Sequence, residues 1–204
     1  MQNPSAGAAC HGLLERLARV ACRQGASHAA VVAAADIRVD EELASLCRAP
    51  DCDCYGLGAS CPPHVGGPEE FRRLQKRFAW ALFLKIDVPT EILLSEERLA
   101  VYGLLHEIVS TVRQAAVDAG CGDARGFAGG SCRKIFCRDR PDCPVVDRGG
   151  PCRHPRRAHP SMSGYGIDVF RLMETAGWHM ERITKATAPE SVPMGSVAGL
   201  VLVC

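Results

Sequence analysis

The chain has 204 residues, with 24 Lys or Arg against 23 Asp or Glu, and its net charge of +1 excludes a chain-wide basic footprint for nucleic acid. Hydrophobic residues make up 47%, enough for a real core and too many for a disordered chain. The 12 cysteines are far above ordinary usage and set the main question.

Leu13, Leu14, Leu17, Val20 and Ala21 recur at helical spacing and predict a helix over about residues 10–23. The apolar run AAVVAAADIRV from Ala29 predicts a buried strand. A cysteine-rich loop follows at about 47–63. Pro68 suits a first helical residue, with Glu69 and Glu70 at the positive helix end and Phe71, Leu74 and Phe78 as the apolar face. AWALFLKIDV from Ala79 predicts the second strand. The longest helix is predicted over roughly Glu91 to Ala119, on a stripe of Val101, Leu104, Leu105, Ile108, Val109, Val112 and Ala116, stopped by Gly120. ARGFAGG from Ala124 reads as a short strand entering a second cysteine-rich loop at 131–163. A helix over Ile167 to Ala176, ended by Gly177, and a strand from Val197 complete the chain.

This alternation predicts one α+β domain over residues 1–204: a small mixed or antiparallel sheet of about four strands packed with helices, carrying two Cys-rich metal-binding loops. A ferredoxin-like sandwich is one topology that fits. No strict internal repeat is visible. The N-terminal stretch has no Lys or Arg before Arg16 and no apolar run of signal-peptide length. AAVVAAA is too short to span a bilayer. The reading is a cytoplasmic chain without a membrane partner, in which a stable disulfide framework is disfavoured.

The first loop spells C-x4-C-x-C-x6-C-P-P with Cys47, Cys52, Cys54 and Cys61. The second spells C-x4-C-x5-C-x8-C with Cys132, Cys137, Cys143 and Cys152. Four thiolates satisfy either a tetrahedral zinc or a [4Fe-4S] cluster. Zinc ribbons favour paired ligands two to four residues apart, and only the gaps at Cys47/Cys52 and Cys132/Cys137 fall in that range. Cys61-Pro62 and Cys143-Pro144 repeat the Cys-Pro junction of bacterial ferredoxin loops, which tilts the balance toward iron–sulfur. Asp53 alone separates Cys52 from Cys54, so one of those two is a candidate spare.

From Ser131 to Pro160 the net charge is +5. Arg133 and Arg153, with Arg138 and Arg156, can offset the negative charge of a thiolate-bound metal and donate to sulfur. A solvated basic loop is the plain alternative. His64 and His154 follow cysteines closely and could complete a coordination set or support it, though a surface role suits each singly. His106 reads as structural. Only Phe136 interleaves with the arginines, so base stacking has little support. Cys10, Cys22, Cys121 and Cys204 read as buried free cysteines. No Ser-His-Asp or Cys-His catalytic pattern stands out, and no phosphate loop.

CYGLGASCPP, GGSCRKIFC, CRHP and HPSMSGYGIDVFRLMETAGW, in that order, resemble an uncharacterised prokaryotic family of predicted metal-binding proteins, domain of unknown function 2284. The resemblance runs from about Cys47 to Trp178 and implies metal binding by cysteines. It carries over to Cys47, Cys52 and Cys61-Pro62-Pro63, and to Cys132, Cys137, Cys143 and Cys152-Arg153-His154-Pro155. Cys54 stands where the family pattern does not demand cysteine. That leaves a first site completed by Cys54, by His64, by an outside ligand or by the second loop.

Three functions follow. The first is an iron–sulfur protein with one or two [4Fe-4S] clusters and an electron-transfer or redox-accessory role, working with a redox partner protein. The second is a structural zinc-binding interaction module. The third is a metal-dependent enzyme with an open site in the first loop.

Overall fold

The computed structural model describes residues 4–48 and 52–204, with side chains from Cys10 onward. Residues 49–51 of the first cysteine loop lie outside that description. In chain order the elements are α1 (Pro4–Arg23), β1 (His28–Ala33), α2 (Glu41–Ser45), α3 (Gly67–Gln75), β2 (Trp80–Pro89), α4 (Thr90–Leu94), α5 (Arg98–Asp118), β3 (Arg125–Ala128), α6 (Cys132–Phe136), α7 (Pro144–Arg148), α8 (Val169–Thr175) and β4 (Met194–Val203).

The four strands form one sheet in the order β1-β2-β4-β3, antiparallel throughout. β2 and β4 pair over their full length, from Trp80↔Val203 to Pro89↔Met194. The six elements that build the central layers run α1, β1, β2, α5, β3, β4. A ferredoxin-like chain runs strand-helix-strand-strand-helix-strand, so that expectation holds only after a cyclic shift of the chain order. β2 and β3 are joined through α5 and flank β4, which makes a split β-α-β unit.

Side chains alternate across a strand, and here both faces are apolar. Leu82, Leu84, Ile86 and Val88 of β2, with Val197, Val201 and Val203 of β4, pack under α1 and α5. Ala81, Phe83, Phe127, Leu200 and Leu202 point to the other face, where α3, α8 and the segment from Met162 to Ile167 cover them. Phe71 meets Phe127 edge-to-face at 5.2 Å, and Phe127 meets Tyr165 at 5.3 Å. Two glycines let α5 lie close to the sheet. A Cβ at Gly126 or at Gly199 would stand 2.6 Å from a methyl of Val109.

The single helix predicted from Glu91 to Ala119 is broken in two. Ser95 is extended, at φ −97° and ψ 176°. Its hydroxyl donates to Ile92 O at 2.9 Å and accepts from Glu97 N at 3.1 Å, which ends α4 and opens α5. Serine competes with the helix ladder for backbone groups, and here it wins. Leu104, placed in the core stripe by spacing, is exposed, while His106 is fully buried.

The reading of four buried free cysteines changes at each of them. Cys121 and Cys204 are bonded to each other, with sulfurs 2.01 Å apart, and are not free. β4 ends beside the turn that follows α5, which brings these two distant cysteines together. Cys22 is free but exposed on α1, and Cys10 is half-buried.

Candidate functional site

β3 delivers the chain to the second cysteine loop. Gly129 N donates to Ala198 O at 3.0 Å, and Gly130 takes a positive φ of 84°, which turns the chain off the sheet edge. The loop is less irregular than predicted. Ser131 O accepts from Lys134 N and Ile135 N, both at 3.1 Å, and this opens the short helix α6. Cys143 N donates to Asp147 Oδ2 at 2.7 Å, which closes the start of α7, with Pro144 in its first turn. Cys132, Cys137, Cys143 and Cys152 all line one cavity of about 430 Å³. Glu70 and Tyr165 also line it, and the Tyr165 hydroxyl donates to Glu70 Oε1 at 3.4 Å.

The two loops meet. Cys132 N donates to Ser60 Oγ at 3.1 Å, and the Cys61 thiol donates to Ser131 Oγ at 3.3 Å. Ser161 N donates to Ser60 O at 2.8 Å, which ties the end of the second loop to the first. A Cβ on Gly58 would stand 3.4 Å from Cys132 Sγ and 3.1 Å from Arg133 Cβ. Backbone without a side chain is therefore what lets the loops close on each other.

Burial, then repulsion from Cys52 and Cys61, pushes the Cys47 thiol up to about 11. Burial also raises Cys61 and Cys132, partly opposed by the hydroxyls of Ser131 and Ser60. Cys54 is close enough to act on both Cys47 and Cys61, so it belongs spatially to the first group.

The arginines do two different jobs. The Arg133 guanidinium donates to the carbonyls of Cys137 and Arg140 and is spent on shaping the loop. Arg153 donates to Asp142 O at 2.8 Å and to its carboxylate at 2.5 Å, and also reaches the Cys137 thiol. Hydrogen bonds from Arg153 and Arg148 hold the Asp142 carboxyl below the usual range. The His154 backbone N–H donates to Cys152 Sγ at 3.3 Å, while its ring packs 5.5 Å from the Phe136 ring. His64 lines the cavity, but its ring Nε2–H donates to Gly56 O at 3.3 Å.

The second loop is docked on α5 by a buried histidine pair. His106 and His159 stack with ring centres 5.8 Å apart. His106 Nδ1 lies 3.1 Å from Arg157 O and 3.2 Å from His159 N. Ser110 Oγ lies 2.8 Å from His106 O, 2.7 Å from Arg156 O and 2.8 Å from His159 Nε2. Ser110 has one hydroxyl proton for these three neighbours, so it can donate to only one of them. Burial holds both imidazoles neutral, His106 at about 4 and His159 at about 3.

The small antiparallel sheet packed with helices is as predicted, but the two metal-binding loops are not found, among the described residues, as clustered sets of ligands. Among the described residues, no three or more His, Cys, Asp or Glu side chains stand close enough together to hold one metal ion. Cys132, Cys137, Cys143 and Cys152 line one cavity, and the two loops abut where Cys61 bonds to Ser131. Ser60, Ser131, Glu70 and Tyr165 were not singled out from the sequence. The signal for the serines was present: each loop contains one Ser-Cys pair. No helix among the described residues is long and apolar enough to cross a membrane.

No curated protein and no solved structure matches this chain. The family model described as predicted metal-binding protein (DUF2284) matches residues 30–203, which takes in both cysteine loops and all four strands except the first two residues of β1. The chain belongs to this family of predicted metal-binding proteins.

Proposed function

We propose that the chain is an iron–sulfur protein whose second loop holds a [4Fe-4S] cluster through Cys132, Cys137, Cys143 and Cys152, in an electron-transfer or redox-accessory role. The observation that supports this reading is that those four cysteines line one cavity of about 430 Å³. Thiolate sulfur is the donor that zinc and iron–sulfur clusters share. Ligands spread around a cavity suit a multi-atom cluster better than one zinc ion with bonds of about 2.3 Å. When bound, such a cluster supplies a one-electron store. Arg153 offsets its charge at Cys137, and the His154 N–H supports Cys152. A redox partner protein belongs to the same proposal, while the Cys121–Cys204 disulfide counts against the cytoplasmic residence expected from the sequence.

The pair Glu70–Tyr165 favours a second reading. A carboxylate and a phenol 3.4 Å apart in the lining of the cavity offer a proton acceptor and donor to a molecule in it. On that reading the protein is a metal-dependent enzyme.

Absorption of oxygen-free protein tests the proposal. A brown protein with a broad band near roughly 400 nm, lost in Cys143→Ser, is the expected result. Colourless protein that binds zinc and unfolds with chelator is the structural-zinc outcome and would overturn it.

A further inference from the structure

A second cavity, of about 440 Å³, lies on the side of the sheet where Phe127 and Tyr165 pack. Three arginines from three separate segments line it: Arg113 of α5, Arg125 of β3 and Arg156 of the second loop. Each is fixed in place. Arg113 Nε donates to Ala124 O at 3.0 Å, which leaves both terminal nitrogens of that guanidinium without a partner among the described residues. Arg125 sits opposite Leu202 in the β3–β4 ladder. Arg156 O lies 2.7 Å from Ser110 Oγ. Neighbouring arginines are neutralised: Arg148 and Arg153 by Asp142, Arg157 by Glu107 and Arg138 by Glu96. Among the described residues, Arg113, Arg125 and Arg156 have no such carboxylate. The one acid in the lining is Glu70, whose carboxylate accepts from the Tyr165 hydroxyl at 3.4 Å. His159 also lines the cavity, and burial keeps it neutral. Three positive charges thus stand against one negative, a net +2.

We infer that this cavity binds a small phosphorylated molecule, with Arg113, Arg125 and Arg156 as the clamp on its phosphate. A guanidinium presents paired N–H donors that match phosphate oxygens, and it stays charged at any working pH. The net charge of the lining matches that of a phosphate ester near neutral pH. Convergence of three segments on one concavity fits a compact ligand. A single strand of nucleic acid needs a charged groove with aromatic platforms for its bases instead. Glu70, Pro155, Ala158, Pro160 and Tyr165 line this cavity and the cysteine-lined one alike. The two spaces therefore adjoin at the Glu70–Tyr165 pair. A molecule anchored here by its phosphate lies beside the proton acceptor and donor of the enzyme reading, and the inference adds a ligand class to that reading. The clamp itself uses no metal, so it stands whichever metal the cysteines hold.

The test is calorimetric titration of the full chain at low salt, with pyrophosphate and phenyl phosphate as probes. The expected result is one site per chain, with affinity that falls as salt rises. Arg125→Gln and Arg156→Gln should each weaken binding by about 10-fold or more, the loss of one charge-assisted bond. Arg138→Gln, at an arginine of the same loop outside the cavity, should leave the affinity unchanged. Glu70→Gln removes the one opposing charge and should tighten binding, an effect that a folding defect does not produce. Equal weakening by Arg138→Gln would reduce the site to a diffuse basic surface and overturn the inference. So would absence of binding at millimolar concentrations of both probes, or tighter binding of a single-stranded oligonucleotide than of either. Iron and sulfide measured on the same sample report on the iron–sulfur reading separately, so either can fail alone.

Discussion

The Cys61 sulfur stands 3.3 Å from the Ser131 hydroxyl, across a sequence separation of 70 residues. Together with the bond from Cys132 N to Ser60 Oγ, this contact joins two loops that leave the sheet at different places. Ser60→Ala removes the acceptor for a buried N–H, which costs roughly 1–3 kcal/mol. We expect a lower urea midpoint for that variant, with unchanged slope. An unchanged midpoint would mean that water replaces the hydroxyl without cost.

Arg153 bonds both the backbone carbonyl and the carboxylate of Asp142 and so braces the second loop beside Cys143. Loss of such a supporting hydrogen bond typically weakens a metal site by roughly 10–100-fold. Arg153→Ala should therefore release iron to a chelator at least about 10-fold faster than the native chain. Equal rates would reduce Arg153 to a surface charge.

The His106–His159 pair makes stability depend on pH. Both imidazoles are held below their ordinary value of 6.5, at about 4 and about 3, by burial. Between 6.5 and those values the unfolded chain binds protons that the folded chain refuses. The stabilisation is thus complete above pH 6.5 and is lost as pH falls toward 4, by on the order of a few kcal/mol for the pair. Urea midpoints at pH 7.5 and 5 should differ in the native chain and differ less in His159→Gln. Equal differences in both would contradict this.

Cys121–Cys204 closes a loop with a sequence separation of 83 residues, at the end of the sheet bordered by Arg77 and Asp123. Chain-entropy arguments allow it up to about 4 kcal/mol of stability. Cys204→Ser should lower the thermal midpoint and leave iron content unchanged, because neither cysteine lines the cavity of the second loop. Loss of iron in that variant would mean that this end of β4 helps hold the loops.

Much of the fold was legible because the strands are apolar runs bounded by turn residues. β2 was found this way to within one residue, and β4 apart from its first three, since both their faces are largely buried and apolar despite Lys85 and Asp87. The break at Ser95 was not, because a single hydroxyl bonding to Ile92 O and Glu97 N decides it against a continuous helical stripe. Leu104 kept helical spacing with the core yet lies outside it, since α5 is covered by the sheet and α1 on one side only. Residues of the site drawn from one loop were legible as cysteine spacings. Those drawn from two loops, Ser60 with Cys132 and Cys61 with Ser131, depend on tertiary closure that no local pattern reports. The same is true of Cys121 with Cys204, and of Glu70 with Tyr165, which are 95 residues apart.

The most direct measurement is the iron, zinc and acid-labile sulfide content of the full chain purified without oxygen. The account predicts iron and sulfide in equal amounts, about four of each per chain for the second loop alone and about eight with both loops filled. Zinc without sulfide would contradict it, and would make the cysteines staples of the loops instead of carriers of electrons.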